Sequence, residues 1–266
     1  MNEPQNNSPW HLYDQLIGGV PEDVLVTDLC LGNHWSYVEA ECGMGVSFTC
    51  RGGAVNRTDK RDFRGLPLRQ MAALAKSWNF EEATLGIAAL NAWYGRKELT
   101  DAMGASYDDA VELPDGTVHK MDAFEIMRPR IEATDGAKVV VVGHFPHMER
   151  VAEYSNLTVL ERSCRDGMDK PDPACEYLMP LADFAFITGV TLENKTAPRL
   201  LQLAERAVTT MVGPSVVMAP ALFEAGVDMI AGSIVLDPER TRYAVKTGVG
   251  KFFGEALQMT TILAKR

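Results

Sequence analysis

The sequence predicts a mixed α/β and α+β protein of two units. Residues 1–100 read as an α+β unit, an antiparallel meander followed by helices. Residues 101–120 read as a linker, and residues 121–266 as an open α/β sheet. Three observations carry this. Short apolar runs separated by glycine-containing turns fill residues 23–52. The period lengthens to that of a helix over residues 66–94. From residue 121, continuous β-branched runs alternate with amphipathic segments, as in a parallel sheet with helical crossovers.

Each element follows from its residues. Residues 10–20 place Leu12, Leu16 and Ile17 on one helical face, and Gly18-Gly19 end it. Strands are expected over residues 23–32, 35–42 and 45–52, with Gly32-Asn33 and Gly43-Met44-Gly45 as the turns between them. Residues 66–77 put Leu68, Met71, Ala72 and Ala75 on one helical stripe. A second helix opens at Asn79 as N-cap, with Glu82 completing a capping box. Its Gly86, Ala88, Ala89 and Ala92 are small enough to admit a neighbouring backbone. Residues 111–118 suggest a hairpin around Pro114-Asp115-Gly116. In the second half, residues 138–143, 157–162, 183–189, 208–213 and 228–232 read as strands. Between them, residues 148–155, 172–180, 191–207 and 220–226 are helical or helix-like. The apolar residues 257–264 are expected to pack on their own unit, with a homo-oligomer left open.

Thirty-six acidic residues against twenty-six Lys and Arg give a net charge of −10. No basic run is longer than a pair, which excludes a protein built around nucleic acid. Residues 1–10 have neither a basic start nor an apolar core, so no secretory signal is expected. No apolar stretch approaches the ~20 residues that span a bilayer, so no membrane partner is expected. Five cysteines, none in a CxxC pair, exclude a zinc ribbon and fit a reducing cytoplasm.

In open α/β sheets, ligands collect beyond the carboxyl ends of the strands. The first such end carries Gly143-His144-Phe145-Pro146-His147, and the second carries Glu161-Arg162. A neutral His144 imidazole there suits metal ligation or proton transfer, with Glu161 or Glu176 as oxygen ligands. The plainer account bonds His144 to a loop carbonyl and leaves Glu176 in solvent. His147 is discounted, because Pro146 prevents a helical i, i+3 pair. The third end runs through Thr188, Gly189, Thr191, Asn194, Lys195 and Thr196, either an anion cradle or an ordinary helix cap. Gly213-Pro214-Ser215 closes the fourth. In the first half, His34-Trp35 and Lys76-Ser77-Trp78-Asn79 sit on loops that can share an edge. Neither GxGxxG nor a Walker pattern occurs, so neither NAD nor ATP is implied.

Taken together and in order, these segments resemble a known family over residues 10–255. They are Gly32-Asn33-His34-Trp35, Lys76-Ser77-Trp78-Asn79, Gly86-Ile87-Ala88-Ala89-Leu90-Asn91-Ala92 and Gly143-His144-Phe145-Pro146. Pro173-Ala174-Cys175-Glu176-Tyr177, the Ile187 to Thr196 loop and Gly213-Pro214-Ser215 complete the set. The resemblance is to the heavy-metal chelation domain family, preceded by an enolase N-terminal-like domain. It implies an enolase-like α+β domain packed on a Rossmann-like domain, with a site at their junction. His34, Lys76, Asn79 and Asn91 would there face His144, Glu161, Glu176, Thr188, Thr191, Asn194, Lys195 and Ser215. No enolase chemistry is imported, since no series of magnesium-binding carboxylates follows.

Two functions are weighed. The first is a cytoplasmic protein that binds a metal ion, or a small anionic metal-chelating ligand, between its domains. His144, Glu161 and Glu176 would then hold a divalent transition metal. His34, Trp35, Lys76, Asn79, Asn91, Thr188, Thr191, Asn194, Thr196, Gly213 and Ser215 would surround the ligand, and His144, Glu176 and Lys195 would act on it. The second is a metal-free enzyme for a nucleotide-like or carboxylated metabolite, with His144 as general acid/base.

Overall fold

The first unit begins with α1 (His11–Gly18), which turns Leu12, Tyr13 and Leu16 inward. The structure is a computed structural model that describes residues 8–108, 111–112, 118–119, 122–248, 253 and 255–265. After α1, β1 (Val26–Cys30), β2 (Trp35–Ala40) and β3 (Gly43–Phe48) form the expected antiparallel meander, in that order. The turn between β2 and β3 is tighter than its glycines suggest. Ala40 pairs with Gly43, so Gly43, Met44 and Gly45 belong to β3 instead of the turn. The reason is packing: a β-carbon on Gly45 would sit 2.1 Å from the Ala92 backbone nitrogen. Glycine is there because a helix crosses the strand.

That helix comes after α2 (Leu68–Ala72), which tightens into a 3₁₀ turn over Ala73–Lys76. The crossing helix is α3 (Phe80–Tyr94), and Asn79 caps it by accepting the Glu82 N–H at 3.1 Å. Glu82 does not return the bond. It accepts from Thr58 Oγ1 at 2.7 Å and from the Asp59 N–H at 2.9 Å, which fastens a loop instead of closing the box. A β-carbon on Gly86 would lie 2.0 Å from the Ala75 nitrogen, so α3 is closely approached on this side too.

After the first unit come α4 (Lys97–Ala102) and β4 (Ser106–Tyr107), the latter an edge strand of the large sheet instead of part of a linker. The two short strands β5 (Val111–Glu112) and β6 (Val118–His119) pair antiparallel. The turn expected at Pro114-Asp115-Gly116 lies outside the described residues.

The second unit alternates as the sequence predicts. Its elements are α5 (Ala123–Glu132), β7 (Lys138–Val142), α6 (Met148–Ala152), β8 (Asn156–Glu161), β9 (Asp169–Pro171), α7 (Cys175–Leu178) and β10 (Phe184–Thr188). Then follow α8 (Val190–Glu193), α9 (Ala197–Leu203), β11 (Val208–Val212), α10 (Pro220–Glu224), β12 (Met229–Val235), α11 (Pro238–Thr247) and β13 (Leu257–Leu263). The sheet order is β4-β13-β12-β11-β10-β7-β8-β9. It is parallel from β12 to β9 and antiparallel at β13 and β4. Residues 191–207 do not make one helix: the chain breaks at Lys195, whose φ of 70° lies in the left-handed region.

Period-two alternation divides the strands between two cores. Val139, Val141, Phe184 and Phe186 pack with Phe124, Met127 and Ile131 of α5 on one face. Val140, Val142, Ala185 and Ile187 face the other way, into a core that runs on through Leu16, Met71, Ile87 and Leu90 of the first unit. A third cluster joins Met44 and Val46 of β3 to Ala244, Val245 and Leu257 of the large unit. The two units are therefore continuous in their packing.

Candidate functional site

The strand order reverses between β7 and β10: β8 follows β7 to one side, and β10 and β11 run to the other. Such a switch point separates two adjacent crossover loops and leaves a crevice at the carboxyl ends. Here the loops are Gly143 to His147 and Thr188 to Thr196. They touch, since a β-carbon on Gly143 would meet the Thr188 side chain at 3.1 Å. The edge of β3 from the first unit closes the crevice.

At that seam lies a polar cluster with Glu193 at its centre, a side chain at 0% exposure. Ser47 of β3 donates its hydroxyl to Glu193 Oε1. Ser47 Oγ is also 3.1 Å from Ser215 Oγ, which in turn accepts the Phe48 N–H at 2.9 Å. Asn91 of α3 donates to Val46 O at 2.9 Å and to Pro214 O at 3.1 Å. Two buried oxygens in the cluster, Glu193 Oε2 and Asn91 Oδ1, have no hydrogen-bond partner. Burial pushes the Glu193 carboxyl up to about 7, against the opposing pull of the Ser47 hydroxyl.

Lys195 stands beside this cluster. Its Nζ donates to the Glu193 backbone carbonyl at 2.5 Å. It also faces the rings of Phe80 at 5.8 Å and Tyr13 at 5.9 Å. Among the described residues no carboxylate oxygen lies within 4.0 Å of it. Desolvation lowers its ammonium to about 8, although Glu193 and Cys50 pull the other way. Cys50 is buried, with its thiol pushed up to about 11. Arg162, at the end of β8, is turned to Asp172 at 3.1 Å. The Tyr13 hydroxyl, raised by burial, donates to Leu192 O at 2.8 Å and holds α1 against the same loop.

The residues singled out by sequence fall into three groups. Asn91, Lys195 and Ser215 come together at the seam, with Thr188 flanking. Thr191, Asn194 and Thr196 are near it but engaged locally. Thr191 donates to Thr188 O at 2.7 Å, and Asn194 Oδ1 accepts from Thr196 Oγ1 at 2.6 Å and Thr196 N at 3.1 Å. Gly213 adopts a φ of 107° to turn the chain towards Ser215. The rest have other partners. His34 is exposed beside Asn33, Trp35 stacks edge-on with Phe48 at 5.5 Å, and Lys76 pairs with Asp14. Asn79 caps α3 and bonds Ala54 O at 2.8 Å.

The three residues expected to share a metal are not gathered. His144 is 41% exposed, and its Nδ1 is 3.3 Å from Asp169 Oδ1. The Asp169 carboxylate accepts the Arg165 and Asp166 N–H groups at 2.7 and 3.0 Å, which with His144 hold it below the usual carboxylate range. Glu176 is gripped by Arg199 at 2.9 and 2.5 Å, and Glu161 accepts the Arg162 N–H at 2.9 Å. Among the described residues no three His, Cys, Asp or Glu side chains are grouped so as to hold an ion. These residues do not fit a resident metal held by protein groups alone. A cavity of about 720 Å³ exists elsewhere, lined by Glu205, Phe223, Glu224, Asp228 and Lys265. It opens at the amino ends of the strands, away from the crevice, and lacks its converging chemistry.

Sequence reading missed Ser47, Glu193, Cys50, Tyr13 and Asp169. Ser47 carries a faint signal, a polar residue between Val46 and Phe48 in an apolar strand. Glu193 carries none, because a four-residue helix has no period to break.

Comparison with known proteins places this architecture. A family model described as "Putative heavy-metal chelation" (DUF364) matches residues 123–260, and a second with the same description (DUF4213) matches residues 13–94. An uncharacterized protein of Methanocaldococcus jannaschii is 30% identical over 243 residues, 87% of this chain and 86% of that one. A crystal structure of a DUF364 protein of unknown function from Desulfitobacterium hafniense superposes with a TM-score of 0.81. It is 35% identical and covers 96% of this chain and 98% of its own. Another, from Pyrococcus horikoshii, has a TM-score of 0.78 at 21% identity over 96% and 99% of the two chains, a likeness of fold. With both models matched in order, the chain belongs to the DUF364 family.

Proposed function

We propose that the chain binds a small anionic, metal-chelating ligand at the junction of its units, the metal arriving within the chelate. The observation that carries this is Lys195, a half-buried ammonium at the switch point with no carboxylate against it. The Glu193 carboxyl acts on it only from beyond ion-pair distance, and desolvation still outweighs that pull, so a bound anion would offset the cost. Phe80 and Tyr13 give an apolar wall. The chelation named by the family models supports the metal half of the reading. The dispersed His144, Glu161 and Glu176 argue for a chelate over a bare ion. Five free thiols suit a reducing cytoplasm.

Calorimetric titration with citrate, alone and with equimolar nickel or iron(III), tests the proposal. Binding of citrate or its complexes that weakens about tenfold or more in Lys195→Met supports it. Stoichiometric binding of the bare ions, unaffected by that variant, would overturn it. One observation favours the second reading, a metal-free enzyme. The buried Asp169 carboxylate beside His144 Nδ1 is the kind of group that fixes an imidazole for acid/base work. Thermal shifts with nucleotides and dicarboxylates in the presence of a chelator, lost in His144→Ala, would support that alternative.

A further inference from the structure

We infer that Lys195 is a reactive amine that forms a reversible imine with an aldehyde or ketone carbonyl on the bound anion. This rests on the binding reading above and narrows its ligand to carbonyl-bearing acids, such as oxo acids.

Position separates Lys195 from the other lysines. Lys76 pairs with Asp14, Lys97 with Asp101 at 3.2 Å, and Lys246 with Asp28 at 3.7 Å. Lys60, Lys138, Lys170 and Lys265 are exposed. Lys195 alone among these is neither in solvent nor in an ion pair. Its surroundings are the Tyr13 ring of α1, the Phe80 ring of α3, the Cys50 thiol after β3 and the Glu193 backbone carbonyl, with the buried Glu193 carboxyl acting from beyond ion-pair distance and outweighed by desolvation. Such a setting favours the uncharged amine, the form that attacks carbonyl carbon. The lowered ammonium of Lys195 agrees with this geometry. The backbone at Lys195 is left-handed, with a φ of 70°, a strained conformation for a residue other than glycine.

The step balances without an oxidant or reductant. The Nζ lone pair adds to the carbonyl carbon, and the oxygen gains a proton to give a carbinolamine. Loss of that oxygen with two protons as water forms the C=N bond. Cys50, held as a thiol, does not compete.

Glyoxylate with sodium cyanoborohydride, followed by peptide mapping of the whole protein, tests the inference. The result expected is reductive labelling of Lys195 about tenfold or more faster than of the exposed Lys265. Labelling should vanish in Lys195→Arg, whose fold is checked by circular dichroism, and should slow in wild type when malonate is added. Equal labelling of Lys60, Lys138, Lys170 and Lys265, or an unlabelled Lys195, would overturn it. Calorimetry with malonate, which has no reactive carbonyl, separates the two ideas. Malonate binding without a Lys195 adduct sinks the imine and leaves the anion reading standing; neither binding nor adduct sinks both.

Discussion

Ser47 and Glu193, far apart in the chain, meet as donor and acceptor at the seam between the meander and the large sheet. The bond ties β3 to the loop that follows β10, and Ser215 ties the same strand to the loop after β11. The seam is thus sealed by hydroxyls around one fully buried carboxyl group.

The first prediction concerns that carboxyl. Its folded value of about 7 lies above the ordinary 4.5, so the native state holds a proton that the unfolded chain releases. Stability therefore falls as pH rises from about 4.5 to 7, by ~3 kcal/mol at most, and stays lowered above that. Glu193→Gln keeps an acceptor for Ser47 but cannot ionise. Urea midpoints of the two proteins should converge near pH 5 and separate by pH 8, with the variant the more stable. Parallel curves would mean that Glu193 titrates normally.

Lys195 should show the opposite trend. Its folded value of about 8 lies below the ordinary 10.5, so the cost of burying the ammonium is full below pH 8 and lifts towards 10.5. Lys195→Gly removes both that cost and the left-handed strain, and raises stability at pH 7 by about 1 kcal/mol or more. Thermal midpoints at pH 7 and 10 would show the gain shrinking at the higher pH. A destabilised glycine variant would contradict the strain argument.

Close approach to α3 predicts a steep cost for a single methyl group. Gly86→Ala drives a β-carbon into the Ala75 backbone, which cannot rotate away. A loss of about 3 kcal/mol is expected in denaturant titration. A loss under 1 kcal/mol would show that the 3₁₀ turn yields.

Asp169→Asn should loosen one loop only. The carboxylate gathers the Arg165 and Asp166 N–H groups and His144. Hydrogen exchange at residues 163–168 should quicken while the amides of β10 and β11 keep their protection.

Glu176→Ala, by contrast, is expected to leave the urea midpoint close to that of wild type. The pair with Arg199 is exposed on both sides. Citrate affinity within about twofold of wild type would accompany it. A large loss of affinity would return Glu176 to the ligand.

Strands of the large sheet were legible because a buried parallel strand such as Val139 to Val142 admits little but β-branched residues. β9 was not, since Asp169-Lys170-Pro171 reads as loop and pairs only at the sheet's edge. The small residues of α3 foretold close packing, but Gly43 and Gly45 were read as turn because glycine marks a crossing helix and a turn alike. At the site, strand-end logic found Lys195 and Ser215, while Asn91 came only with the family resemblance. It also proposed His144, Glu161 and Glu176 as one group, because sequence order cannot tell which of several loops an ion pair will capture. Arg199 and Asp169 made those choices.

The insertion of β13 between β12 and β4 bears on how the chain is made. Thr260 and Thr261 pair with Tyr107 and Ser106, residues translated long before them. Until residues 257–263 leave the ribosome, the nascent sheet presents the whole length of β12 as an open edge, and β4 has nothing to join. An unfilled edge of that length invites pairing with another chain. A pause in translation between residues 235 and 257 should therefore favour aggregation more than pauses placed earlier.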